Sequence, residues 1–102
     1  MTRLDKAQRE NPQGSAPFRD RNKQTSSENS LLAQGDGYLR PLLSLSTGEV
    51  IEHFPSRAED VASLSSAQVN RILVELKLDT DGSLKRRRRR LLLACGVTHP
   101  VL

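Results

Sequence analysis

Six consecutive cations, Lys85 and Arg86 to Arg90, carry most of the chemistry this chain could perform. They follow Gly82-Ser83-Leu84 and run straight into Leu91-Leu92-Leu93. Such a cluster binds anions: each phosphate it neutralises releases condensed counterions, which makes the affinity fall with salt. A polybasic tail would have no apolar face, and a buried helix would not tolerate six cations. This segment has both features, so a folded scaffold is expected to hold the charges, and nucleic acid is the first polyanion to consider. On a helical wheel Lys85, Arg86, Arg89 and Arg90 turn outward, and the helix N-terminus at Gly82 and Ser83 adds backbone amides to the same anion site. The chain has three aromatic residues, Phe18, Tyr38 and Phe54, none of them near the run. A stacking platform for single strands is therefore unsupported, and contact through phosphates is expected.

Other chemistries find little to work with. His53 and His99 stand far apart, with no cysteine or second histidine at ligand spacing, so neither a metal nor a cofactor is expected. The single Cys95 rules out an internal disulfide framework and fits a reducing compartment. Paired carboxylates, a nucleophile with its base, and a phosphate-cradling glycine loop are all missing at meaningful spacing, so the chain reads as a non-enzyme. No apolar run approaches the ~18 residues of a membrane span, and no membrane partner is expected.

The elements that must position the cations can be read from caps and periodicity. Ser65-Ser66-Ala67-Gln68 has capping-box spacing, and Leu64 and Val69 could staple across it. Val69, Ile72, Leu73 and Leu76 then fall at i, i+3, i+4 and i+7, one apolar stripe of a helix. Asp79-Thr80-Asp81-Gly82 ends it with turn chemistry, Gly82 suiting a positive φ. Ser83 caps a second helix on which Leu84, Leu91, Leu92 and Cys95 share a face. Gly96 suits the left-handed position after it, where Val97 meets Leu92 in a Schellman-type stop, and Pro100 prevents continuation. Upstream, Ser56-Arg57-Ala58-Glu59 has capping-box spacing for a short helix over residues 57–63.

The charge is polarised along the chain. Residues 1–36 carry a net +1, residues 37–81 a net −3, and residues 82–102 a net +6 with no acid. Residues 1–36, rich in Gln, Asn, Ser and charge, cannot bury enough apolar surface to offset ordering entropy and read as a disordered leader. Five acids among them argue against a transit peptide. Residues 37–55 form a Leu-rich arm: either a hairpin around Ser46-Thr47-Gly48 or an extended segment with a few anchoring side chains. Residues 56–98 form the helical module, and 99–102 a tail.

A helix ending Glu75-Leu76-Lys77-Leu78, the turn Asp79-Thr80-Asp81-Gly82 and a second helix opening Ser83-Leu84 resemble a SAP domain, a small helix–extended–helix module. The likeness is to the variant in some spliceosomal and genome-maintenance proteins, whose second helix reads Gly-Ser/Thr-Leu-x-x-Arg-x-x-Arg-Leu. Gly82, Ser83, Leu84, Arg87, Arg90 and Leu91 stand at its fixed positions, and the likeness spans Leu64 to about Val97. It implies a small all-α, SAP-like fold: helix, extended turn, helix, preceded by the short helix and the hairpin or arm. It also implies binding of duplex DNA, ahead of RNA, through the second helix and, with the basic run as an import signal, a nuclear location. Position 88, usually small in that variant, is Arg88 here and lies inside the apolar face. Its stem is expected to snorkel along the leucines or to find Glu75 or Asp79.

These observations imply a non-enzymatic nucleic-acid-binding module. The alternative is a protein–protein docking module of a nuclear ribonucleoprotein or chromatin assembly, engaging its partner through Leu42, Leu43, Leu45, Val50, Ile51 and Phe54. A segment of a mobile-element or viral polyprotein is a third reading.

Overall fold

Helix α2, Ser66–Glu75, begins where the capping box predicts. The Ser65 amide donates to Gln68 Oε1 at 2.8 Å, and the Gln68 amide donates to Ser65 Oγ at 3.2 Å. Its stripe of Val69, Ile72, Leu73 and Leu76 is buried. The helix stops at Leu76 through a Schellman pair, Leu78 N–H to Leu73 C=O and Lys77 N–H to Val74 C=O. The left-handed residue that this geometry requires is Lys77, at φ 57°, where glycine would be the natural choice. The chain then runs extended to Gly82, at φ 95°, and Ser83 caps α3, Leu84–Ala94, by accepting from the Arg86 amide. Gly96, at φ 96°, closes α3 with a second Schellman pair: Val97 N–H reaches Leu92 C=O and Gly96 N–H reaches Leu93 C=O. Leu91, Leu92, Cys95 and Val97 meet the α2 stripe in a core that Leu84 flanks.

The protein, a computed structural model that describes residues 16–35 and 37–98, is small and mostly helical. Four helices and no strands occur among the described residues: α1 at Ala16–Gly35, a 3₁₀ helix at Ala58–Ser63, α2 and α3. The 99–102 tail, with His99 and Pro100, lies outside the described residues.

The arm is folded. Leu43 and Val50 form an antiparallel bridge, with Ile51 N–H to Leu42 C=O at 3.1 Å and Ser44 N–H to Glu49 C=O at 2.8 Å. A second bridge joins Tyr38 to Arg57, whose guanidinium sits 4.5 Å above the Tyr38 ring. An isolated hairpin this short would be marginal in water. Here Leu39, Leu42 and Ile51 enter the common core, and Leu45 is buried. The arm also caps α2: the Leu45 amide donates to the Glu75 carbonyl, one of the acceptors a helix end leaves unmatched, and Ser44 Oγ donates to the Glu75 carboxylate.

Two expectations need correction. The capping box at Ser56 does not form: the 3₁₀ helix has Arg57 at its N-cap with no side-chain cap, Glu59 pairs with Arg57 Nε at 2.9 Å, and Ser56 Oγ is directed to Asp60. The other concerns the leader. Residues 1–15 and 36 lie outside the described residues, whereas Ala16–Gly35 is helical rather than structureless.

What orders α1 is hydrogen bonding, because its composition offers little apolar surface. Asn22 accepts from the Leu43 amide at 2.8 Å and donates to the Leu43 carbonyl at 2.9 Å. Asn29 does the same to Arg40, at 2.7 and 3.1 Å. The registers agree. Seven helical residues rise about 10.5 Å at ~1.5 Å each, and three extended residues advance about 10 Å at ~3.3 Å each. Two asparagines on one face can therefore read the backbone of an antiparallel extended segment. The N-terminal end and the middle of the helix are fitted as well. A Cβ on Gly48 would fall 2.5 Å from the Phe18 ring, and one on Gly96 only 2.0 Å from the Ser26 carbonyl oxygen.

Candidate nucleic-acid interface

The basic run divides into two sets of side chains. Arg87 binds inward: its Nε donates to the Gly82 carbonyl at 3.1 Å, and its Nη1 to Ser66 Oγ at 2.7 Å and Asn70 Oδ1 at 2.8 Å. This one guanidinium ties the start of α3 to the start of α2. Arg90 Nη1 donates to the carbonyls of Asp79 and Asp81 at 2.7 and 3.0 Å, holding the extended turn against the helix. Arg88 Nη2 donates to the Leu64 carbonyl at 2.6 Å, while its Nε is buried without a hydrogen-bond partner. Of the two carboxylates expected for Arg88, that of Glu75 is engaged by Ser44, and a main-chain carbonyl takes the guanidinium instead. The head is thus held by main chain, with Nε buried, rather than carried along the leucines to the helix edge.

Lys85, Arg86 and Arg89 form the other set. They are exposed, and none of their side chains makes a hydrogen bond or ion pair with any described residue. Arg86 and Arg89 are three residues apart and Lys85 and Arg89 four, so the three heads lie along one face. The Arg86 stem packs over Gly82, where an added Cβ would meet its Cδ at 3.4 Å. Ser83 accepts the Arg86 amide and leaves those of Leu84 and Lys85, ahead of the first intrahelical bond, to an anion. Like charges at these spacings cost a few tenths of a kcal/mol per pair. The sequence places Arg90 with the outward set; the structure puts its guanidinium on the turn.

No family model, curated protein or solved structure matches this chain.

The residues expected to meet a protein partner are mostly covered by the chain itself. Leu42, Leu45 and Ile51 are buried, Phe54 packs on the core, Leu43 is half-buried, and Val50 alone among them is exposed. Cys95 is fully buried, and loss of solvation pushes its thiol up to about 12. Among the described residues no cluster of three or more His, Cys, Asp or Glu is placed to hold a metal, and no helix is long and apolar enough to cross a membrane. Of the partition of the arginines, sequence reasoning missed the inward binding of Arg90. Its trace in the sequence is that Arg87 and Arg90 stand one turn apart on the flank of α3 facing the turn.

Proposed function

We propose that residues 56–98 form a SAP-like helix–extended–helix module whose α3 binds duplex DNA through its phosphates, in a nuclear protein that acts without catalysis. One observation carries this reading: within a single basic run, three arginines are tied to the protein's own oxygens and three cations are left on one exposed face. A solvated surface helix has no use for repelling like charges, and those charges acquire one when a polyanion neutralises them. The clamps by Arg87 and Arg90 fix the helix that presents Lys85, Arg86 and Arg89, so little backbone entropy remains to be lost on binding. Phosphate contacts position a protein without reading bases, so binding should be largely independent of sequence. Enclosure of Leu42, Leu45 and Ile51 in the core removes the apolar surface that motivated protein docking through the arm.

The test is a salt titration of binding to a 20-base-pair duplex. Three contacts predict a slope of about −2.7 in log affinity against log salt, and Arg86→Gln/Arg89→Gln should lower its magnitude by about 1.8. An unchanged slope in that variant would overturn the reading.

A further inference from the structure

Helix α1 carries a second set of exposed cations, across a groove from α3. Arg19 and Lys23, four residues apart, are exposed and make no ion pair with any described residue. Asp20 stands between them in sequence and is exposed, and Glu28, on the other side of α1, is engaged by Arg40 at 3.2 Å. Both cations line a groove of about 420 Å³, together with Ser26 and Ser27 of α1, Leu78 of the turn and Ala94 of α3. Leu78 directly precedes Asp79, whose carbonyl holds Arg90, and Ala94 lies on the flank of α3 next to Arg90. The groove therefore lies between the α1 cations and the Arg90 flank of α3.

Resting on the DNA-binding reading above, we infer that Arg19 and Lys23 are the second half of the phosphate-binding surface, and that the docking of α1 by Asn22 and Asn29 holds them there. The spacing suits a nucleic-acid strand. Four helical residues rise about 6 Å, close to two charge repeats of one strand at about 3.4 Å each along the duplex axis. Arg86 and Arg89, three residues apart on α3, offer a comparable span. Hydroxyls and amides are common phosphate ligands, and Ser26 and Ser27 stand on the same wall as the cations. The Asn22 and Asn29 side chains are both consumed by main chain. Their part is to position the helix that presents the cations.

The expected size follows from counterion release. Three contacts on α3 give a slope near −2.7, an affinity loss of roughly 40-fold between 50 and 200 mM salt; five contacts give near −4.5 and roughly 500-fold. The experiment measures duplex affinity across that range for the full chain and three variants. Arg19→Gln/Lys23→Gln should bring the slope from about −4.5 to about −2.7. Asn22→Ala/Asn29→Ala, which removes no charge, should do the same if the cations act from a docked helix. Arg86→Gln/Arg89→Gln reports on the underlying reading. If it lowers the slope while the α1 pair changes nothing, DNA binding by α3 stands and the inference falls. If the charge variant of α1 lowers the slope and the asparagine variant does not, the cations act as a loose tail and the placement is wrong. If no variant alters the slope, the reading on which the inference rests has failed. Unchanged thermal unfolding of α2 and α3 in the asparagine variant confirms that only α1 was released.

Discussion

Asn29→Ala tests whether α1 is held by its asparagines or by its own helical tendency. The Asn29 side chain is fully buried and makes two hydrogen bonds to one residue, Arg40. At a net ~0.5–1.5 kcal/mol each, their loss should weaken docking by about 1–3 kcal/mol. Alanine is the better helix former by about 0.6 kcal/mol, which offsets part of that. A net loss of about 0.4–2.4 kcal/mol remains, or roughly a 2- to 50-fold rise in local opening at 1.4 kcal/mol per tenfold. Amide hydrogen exchange across Ala16–Gly35 reads this directly, and trypsin cleavage after Arg19, Arg21 and Lys23 gives a second readout. Asn29→Asp should weaken docking further, since it sets a carboxylate against the Arg40 carbonyl while keeping the acceptor for the Arg40 amide. The reasoning is refuted if exchange in α1 stays the same or slows in Asn29→Ala, the result that helix propensity alone would give.

Three further outcomes are expected. Lys77→Gly relieves a left-handed residue at the C-terminus of α2 and should stabilise the fold by about 0.5–1 kcal/mol, roughly 2–8 °C in Tm by thermal denaturation; a lower Tm would contradict the assigned helix stop. Arg90→Met keeps the stem but loses both turn carbonyls, so it should destabilise by about 1–3 kcal/mol with little change in the DNA salt slope, whereas Arg89→Met should lower the slope by about 0.9 and leave Tm alone. The Cys95 thiol, raised to about 12 when folded, should resist a disulfide reagent at pH 8 until the protein unfolds. Because its folded pKa exceeds the unfolded value, its stability contribution is complete below about pH 9 and is lost as pH rises toward 12, by roughly 1.4 kcal/mol per unit. Titrating Tm over that interval checks it.

The parts of the fold legible in the sequence are those set by local rules. The Ser65–Gln68 box, the Ser83 cap, Gly82, Gly96 and the two leucine stripes each announce themselves within a few residues, and each is found where expected. What could not be read depends on partners distant in sequence. α1 has a polar composition, and nothing within residues 16–35 reveals that Asn22 and Asn29 meet main-chain groups at Leu43 and Arg40. The hairpin reads as marginal because the leucines that receive it lie on α2 and α3. In the candidate interface, position on the helical wheel identified Lys85, Arg86 and Arg89. It misassigned Arg90 because a side chain at the edge of the exposed face could reach carbonyls that only the folded turn brings near. Ser56 failed as a cap for a related reason: Arg57 drew Glu59 to itself.

The seat of α1 spans the chain. One of its supports, the Gly96 shoulder against Ser26, is made seventy residues after Ser26 itself. During synthesis at about 5–20 residues per second, α1 emerges roughly 4–14 s before that support exists. A helix this polar cannot hold its shape alone for such a time. A helix made before its support is thus slow to settle, and until it does its lysine and arginines are carried on an open strand.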